Sequence, residues 1–236
     1  MTSSPVISTM KFGAVASTLL ITLSFGLYAA ASPLDTSLAA PLPSYLGSSN
    51  TFYRAVTGGE LSQVNAIYHV GAHPTKHTTE AGDFSYSGGL YVFKDINEAK
   101  QWGTCWAKVQ LDPAKKKWYL ITMTYTPNSR LTTKTFKDQT AEWKTFVNGN
   151  YVKQGPHYDI IEGPISVGNG DRLQAYINGD QKMVWQGAFV GQNALATLLV
   201  TAVTLYDDSW SVRECCRNCN IQLVDQSAAN QWALFQ

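Results

Sequence analysis

The segment Gly155-Pro156-His157-Tyr158-Asp159-Ile160-Ile161-Glu162-Gly163-Pro164-Ile165 (GPHYDIIEGPI) decides how the chain folds. Its apolar centre predicts a strand over Tyr158–Ile165, yet it carries an aspartate, a glutamate and a Gly-Pro pair. In an extended backbone Tyr158, Ile160 and Glu162 share one face, and Asp159 and Ile161 share the other. Asp159 then reads as a structural acceptor for backbone N–H groups or an arginine. Pro164 cannot donate to a ladder, so Gly163-Pro164 closes the strand. The segment is scaffold, a central strand positioned by polar residues at its ends.

Outward from this strand, aromatic and β-branched runs recur. They predict strands over Thr51–Val56, Ile67–Val70, Gly89–Phe93, Cys105–Leu111, Trp118–Thr126, Leu173–Ile177 and Met183–Val190. Asp95-Ile96-Asn97-Glu98 is a capping box, and the helix it starts is expected to end at Gly103. A second helix is expected over Thr140–Val147, stopped by Asn148-Gly149. A third begins near Gln192 and carries Leu195, Leu198 and Leu199 on one face. A fourth is expected over Asp225–Phe235. Many antiparallel strands, few helices and no βαβ alternation give an α+β class.

The chain has 236 residues, 44% hydrophobic and only 15% charged, with seven Trp and twelve Tyr. That length suits one domain with a real core. The net charge of +1 provides no field for nucleic acid. Lys11, an apolar run and Ala29-Ala30-Ala31 have the form of a signal peptide. Residues 1–31 are therefore expected to be removed and the protein secreted, with no membrane association afterwards. Residues 32–50 form a flexible leader, and residues 51–236 a single domain. Secretion makes Cys105, Cys215, Cys216 and Cys219 a disulfide set, the pairing left open. Zinc is disfavoured, because tight sites use two spaced cysteine pairs. His69, His73 and His77 are spaced by four, but Gly71 and Pro74 interrupt any helix that would align them. No metal is expected.

Two segments suggest a ligand. Arg54 sits between aromatic and apolar neighbours on the first strand, where a guanidinium must snorkel or find an anion. Ser87-Gly88-Gly89-Leu90-Tyr91 lets a backbone approach a flat ligand at Gly89 and offers Tyr91 for stacking.

Four elements in order carry a resemblance. They are Tyr53-Arg54; Gly89-Leu90-Tyr91 followed by Glu98-Ala99-x-x-Trp102; Tyr158-Asp159-Ile160-Ile161-x-Gly163-Pro164; and Phe189-x-x-Gln192-x-Ala194-Leu195. Together they resemble a family of uncharacterised proteins related to ADP-ribosyltransferases, with a secreted, fungal effector-like form. The resemblance spans most of residues 51–200. It implies a split, partly antiparallel α+β core with a few flanking helices and a cleft for NAD. Arg54 would hold the dinucleotide, and Tyr91, with Ser87 and Gly89, would frame the nicotinamide. The catalytic glutamate of the superfamily falls at or near Gln192. A neutral amide supplies no charge to an oxocarbenium-like transition state, so transfer would be weak unless Glu162, Asp159 or Glu214 substitutes. The implied function is a secreted monomeric mono-ADP-ribosyltransferase or NAD-cleaving toxin acting on a protein acceptor or host target. The alternative is a catalytically degenerate binding or effector protein on the same fold.

Overall fold

The computed structural model describes Gly47 and residues 50–206, except residues 77, 79, 111, 113 and 115. The expected signal peptide, nearly all of the leader, His77, Glu214, Cys215, Cys216, Cys219 and the helix over Asp225–Phe235 lie outside the described residues.

Among the described residues nine strands form three sheets. β1 (Thr51–Val56), β3 (Trp118–Tyr125) and β9 (Leu198–Tyr206) make an antiparallel sheet in the order β1-β3-β9. β2 (Leu90–Val92), β4 (Thr133–Thr135), β5 (Ile160–Pro164) and β8 (Trp185–Phe189) make a second, in the order β2-β8-β5-β4. Its pairings are antiparallel except for β4 with β5. β6 (Ser166–Val167) and β7 (Gln174–Ala175) form a short hairpin-like pair. The class is α+β with mainly antiparallel strands.

The two larger sheets face each other through one core that joins Phe52, Val56, Ile121 and Met123 to Leu90, Ile160 and Phe189. Phe52 and Tyr125 both set their rings against Phe189, with centroids 6.1 and 5.6 Å apart. Helix α2 (Ile96–Val109) covers the outer face of the first sheet through Ala99 and Ala107, beside Trp118 and Leu120. Helix α3 (Ala141–Tyr151) covers the second sheet with Trp143, Phe146 and Val147 against Ile161 and Ala188. β5 and β8 are buried on both faces, and alternate residues feed two cores: Ile160 and Phe189 one, Ile161 and Ala188 the other. Two short helices complete the set, α1 (Val64–Ile67) and α4 (Gly191–Leu195).

The helix starts follow the sequence. The Asp95 carboxylate accepts from Asn97 N–H at 2.7 Å, and Thr140 Oγ1 accepts from Trp143 N–H at 3.1 Å. The stops differ. α2 runs through Gly103 to Val109, so the strand expected over Cys105–Leu111 is helix as far as Val109. Gly103 is there because a Cβ would overlap the Trp118 indole; it permits close packing and does not terminate the helix. α3 likewise continues past Gly149 to Tyr151. Ile67 ends α1, so no strand spans Ile67–Val70. The helix expected to carry Leu198 and Leu199 ends at Leu195, and those residues open β9. In β9, Leu198 and Val200 point inward and Leu199 and Thr201 outward. The β-branched alternation of LLVTAVTLY outweighs an i, i+3, i+4 leucine pattern that spans only five residues.

The opening segment is β5, shorter than expected at Ile160–Pro164 but buried along its length. Asp159 Oδ2 accepts from both the N–H and the hydroxyl of Thr132, each at 2.7 Å. It is the structural acceptor that its position implied. Cys105 is buried on α2, and no described cysteine is free.

Two stability measurements test this packing. Gly103→Ala gains about 1 kcal/mol of helix propensity but forces a methyl into the Trp118 ring, at a cost of about 1–3 kcal/mol. The net effect should be destabilising, read as a lower urea midpoint; a stabilised variant would show that the indole has room to move. Glu98 provides the second. Burial, then the Asp95 carboxylate, push its carboxyl up to about 7, with Lys182 pulling the other way. The fold favours the neutral acid, so this contribution is complete below 4.5 and is lost as pH rises through about 7. Glu98→Gln should raise the melting temperature at pH 8 and leave it nearly unchanged at pH 4. Equal shifts at both pH values would remove titration as the cause.

Candidate functional site

One backbone bridge joins β1 to the residue that follows β2. Tyr53 N–H donates to Phe93 O at 2.8 Å, and Phe93 N–H returns to Tyr53 O at 2.7 Å. Beyond it β1 continues beside β3 while β2 turns to β8, so the two sheets part there. At this seam lies a cavity of about 80 Å³ whose walls include Arg54, Glu60, Asp83, Tyr91, Trp102 and Gln186.

Arg54 shares its strand face with Phe52 and Val56, both fully buried, and is itself 8% exposed. A cation there needs partners, and two hydrogen bonds supply them beside the nearby Tyr68 phenol. Nη1 donates to the Tyr91 carbonyl at 3.0 Å, and Nη2 donates to Glu60 Oε2 at 2.6 Å. Burial alone would lower its pKa, but the Glu60 carboxylate and the Tyr68 phenol more than offset that, and the net shift is upward. Burial in turn pushes the Tyr68 phenol up to about 12, against the pull of Arg54. Arg54 is thus a permanent cation. Its Nε–H is buried and carries no hydrogen bond. Glu60 stands on a 3-10 helix, Gly58–Gln63, that follows β1 directly.

Tyr91 meets Arg54 through its backbone. Its ring stacks on Phe84 with centroids 6.4 Å apart and lies on Gly82, where a Cβ would come within 2.5 Å of the phenol oxygen. Burial, then the charge of Asp83, push the phenol pKa up, so the hydroxyl stays protonated.

Asp83 is a hub. Oδ1 accepts from Tyr151 OH at 2.7 Å and from the Ser166 hydroxyl at 2.5 Å. Oδ2 accepts from Ser166 N–H at 2.7 Å and from the Gln186 amide at 2.8 Å. Its own carbonyl accepts from Asn150 at 2.9 Å. Burial pushes the carboxyl pKa up, against the pull of the Ser166, Tyr151 and Gln186 donors. One residue so ties the segment ahead of β2 to α3, β6 and β8.

Of the residues expected from sequence, Arg54 and Tyr91 meet at the cavity. Ser87 is exposed and paired with the Ser85 hydroxyl at 3.1 Å, and Gly89 takes a hydrogen bond from Thr78 on its carbonyl; neither is a wall residue. Gln192 is exposed on α4, where its amide donates to Thr75 O at 3.3 Å, and it too lies outside the walls. The glutamine in the cavity is Gln186, on β8. Glu162 is fully buried on β5, takes the Thr135 hydroxyl at 2.8 Å, and does not line the cavity. His73 is bonded to Leu198 O at 2.6 Å, and His69 is exposed. Among the described residues no three His, Cys, Asp or Glu side chains gather as metal ligands.

Sequence reasoning missed Glu60, Asp83 and Gln186. Each leaves a trace: an acid six residues after a strand arginine, an aspartate ahead of the Gly88-Gly89 turn, and one amide in the otherwise apolar β8. Compared with models of known families, with curated proteins and with solved structures, the chain matches none.

The hub makes a graded prediction. Asp83→Ala leaves Ser166 N–H and the Gln186 amide without their acceptor and should cost about 1–3 kcal/mol for each. Asp83→Asn can keep one oxygen on those donors and turn its NH₂ to the two hydroxyls, so its cost should stay within about 2 kcal/mol. Chemical denaturation of both variants reads the order; equal losses would mean that the geometry of the acceptor is immaterial.

Proposed function

We propose that the chain is a secreted ADP-ribosyltransferase-like protein whose cavity receives NAD or a related nucleotide, and that it acts by binding, with little or no transfer. The single observation behind this is a buried, permanent cation, Arg54, at the seam where two sheets part, bonded to the strand that carries Tyr91. A guanidinium in such a place suits a phosphate, which it can hold by paired charge-assisted hydrogen bonds. Tyr91, Trp102 and Trp106 on the walls suit a flat ring.

The acids argue for binding over transfer. Cleavage of a nicotinamide–ribose bond needs a carboxylate aimed at a developing cation. Gln192 carries no charge and lies away from the walls. Asp83 spends its oxygens on four donors, and Glu60 is paired with Arg54. The cavity of about 80 Å³ is also well below the roughly 300–1,000 Å³ of drug-sized ligand sites. One ring or one phosphate would enter, and the rest of a dinucleotide would lie across the mouth. The protein is secreted and monomeric in this reading, and it engages a host or competitor protein with the nucleotide bound or free.

Calorimetric titration of NAD, with nicotinamide release followed in the same samples, tests the proposal. The wild type should bind with negligible release, and Arg54→Ala should lose binding at least tenfold. Gln192→Glu should change neither. Rapid nicotinamide release by the wild type would favour the transferase reading; absence of binding in both proteins would end the nucleotide reading.

A further inference from the structure

We infer that Glu60 is a built-in competitor for the anion site on Arg54: its carboxylate occupies the place of a phosphate oxygen, and an oxyanion ligand binds by displacing it. The inference concerns the occupant and regulation of the cavity described above. It rests on the nucleotide reading only for the kind of phosphate that finally binds.

Three observations carry it. The first is the incomplete use of the guanidinium. Glu60 reaches only Nη2, at 2.6 Å, while the buried Nε–H has no hydrogen bond. Nε and Nη2 form one edge of the fork that takes a planar or tetrahedral oxyanion through two parallel bonds. Glu60 therefore neutralises the charge without satisfying the edge, and a phosphate that bridges both N–H groups makes one bond more. The second is the difference in burial between the partners. The Arg54 side chain is 9% exposed and that of Glu60 21%. The carboxylate sits on the solvent side of the pair and is hydrated when it leaves, whereas the guanidinium is held by the Tyr91 carbonyl.

The third is the segment that carries Glu60. The 3-10 helix Gly58–Gln63 begins at Gly58, which has φ +54, and at Gly59 no atom stands within 4 Å of where a Cβ would be. Two adjacent glycines at the base, one of them in open space, let the segment swing by backbone rotation. Both Arg54 and Glu60 line the cavity, so departure of the carboxylate also widens it. Exchange of one anion for another on a buried cation keeps its charge balanced throughout, which removal of Glu60 to no purpose would not. The favoured ligand is a phosphate or pyrophosphate group; a neutral molecule cannot displace Glu60 without leaving Arg54 buried and unpaired.

Inorganic pyrophosphate is the probe, titrated into the full chain at low salt. Glu60→Gln removes the competing charge and should tighten pyrophosphate binding about tenfold or more. Adding Arg54→Ala to that variant should abolish the gain. A folded Glu60→Gln protein that binds pyrophosphate no better than the wild type overturns the inference. If that variant fails to fold, Glu60→Asp serves instead: a side chain one methylene shorter weakens the Nη2 contact, so pyrophosphate should bind more tightly than to the wild type by a smaller factor, and no gain there overturns the inference. NAD separates the two claims. Tighter pyrophosphate binding in Glu60→Gln with no NAD binding by either protein upholds the competitor and ends the nucleotide reading. NAD binding by the wild type with no gain in Glu60→Gln does the opposite.

Discussion

A guanidinium lies between two β-sheets, and the arrangement around it follows from the need to neutralise and bond that charge. Arg54 occupies a position on β1 that its strand neighbours Phe52 and Val56 fill with hydrocarbon. Left alone there, a cation would cost several kcal/mol. The Tyr91 carbonyl answers from β2 and the Glu60 carboxylate from the 3-10 helix beyond β1. The first contact fixes how closely β2 approaches β1, and the second ties down the chain that leaves the strand. The parting of the sheets beside the Tyr53–Phe93 bridge is held open by this pair and is not left for side chains to close.

Asp83 is the counterpart on the opposite wall. It gathers donors from α3, β6 and β8, elements that reach the same place only after the second sheet has formed. The Gln186 amide is oriented by it, since its NH₂ is given to the carboxylate. The cavity has a neutralised cation on one side and a carboxylate whose oxygens are taken up by four neutral donors on the other. Such a site recognises shape and hydrogen-bond pattern, and gains charge selectivity only when one of its own ions is released.

Much of this was legible in the sequence, and the exceptions have physical reasons. Arg54 and Tyr91 could be singled out because a charge in an apolar strand and an aromatic after paired glycines are local anomalies. Asp95 and Thr140 could be assigned as caps because capping is decided within four residues. Asp159 could be read as an acceptor from strand parity alone. Asp83 could not be read so, because its partners Tyr151, Ser166 and Gln186 are set by the tertiary fold. Gln192, expected at the cleft, lies outside the cavity walls, and Gln186, which the sequence did not single out, lines them because β8 buries it. Gly103 and β9 were misread where local propensity gave way to packing, against Trp118 in one case and against β3 in the other.

The first sheet has a consequence for how the chain reaches this structure. Its ladders join Thr51 to Thr124 and Trp118 to Tyr206, with no hairpin between any neighbouring strands. Each pairing must close a long loop before it gains a contact, and such non-local topologies fold slowly, on the order of milliseconds to seconds. β3, the central strand, buries residues on both faces and must wait for both partners. Until β9 arrives its second edge is open to other chains, which is the condition for intermolecular strand pairing. An open edge on a central strand during folding is a liability that the finished sheet no longer shows.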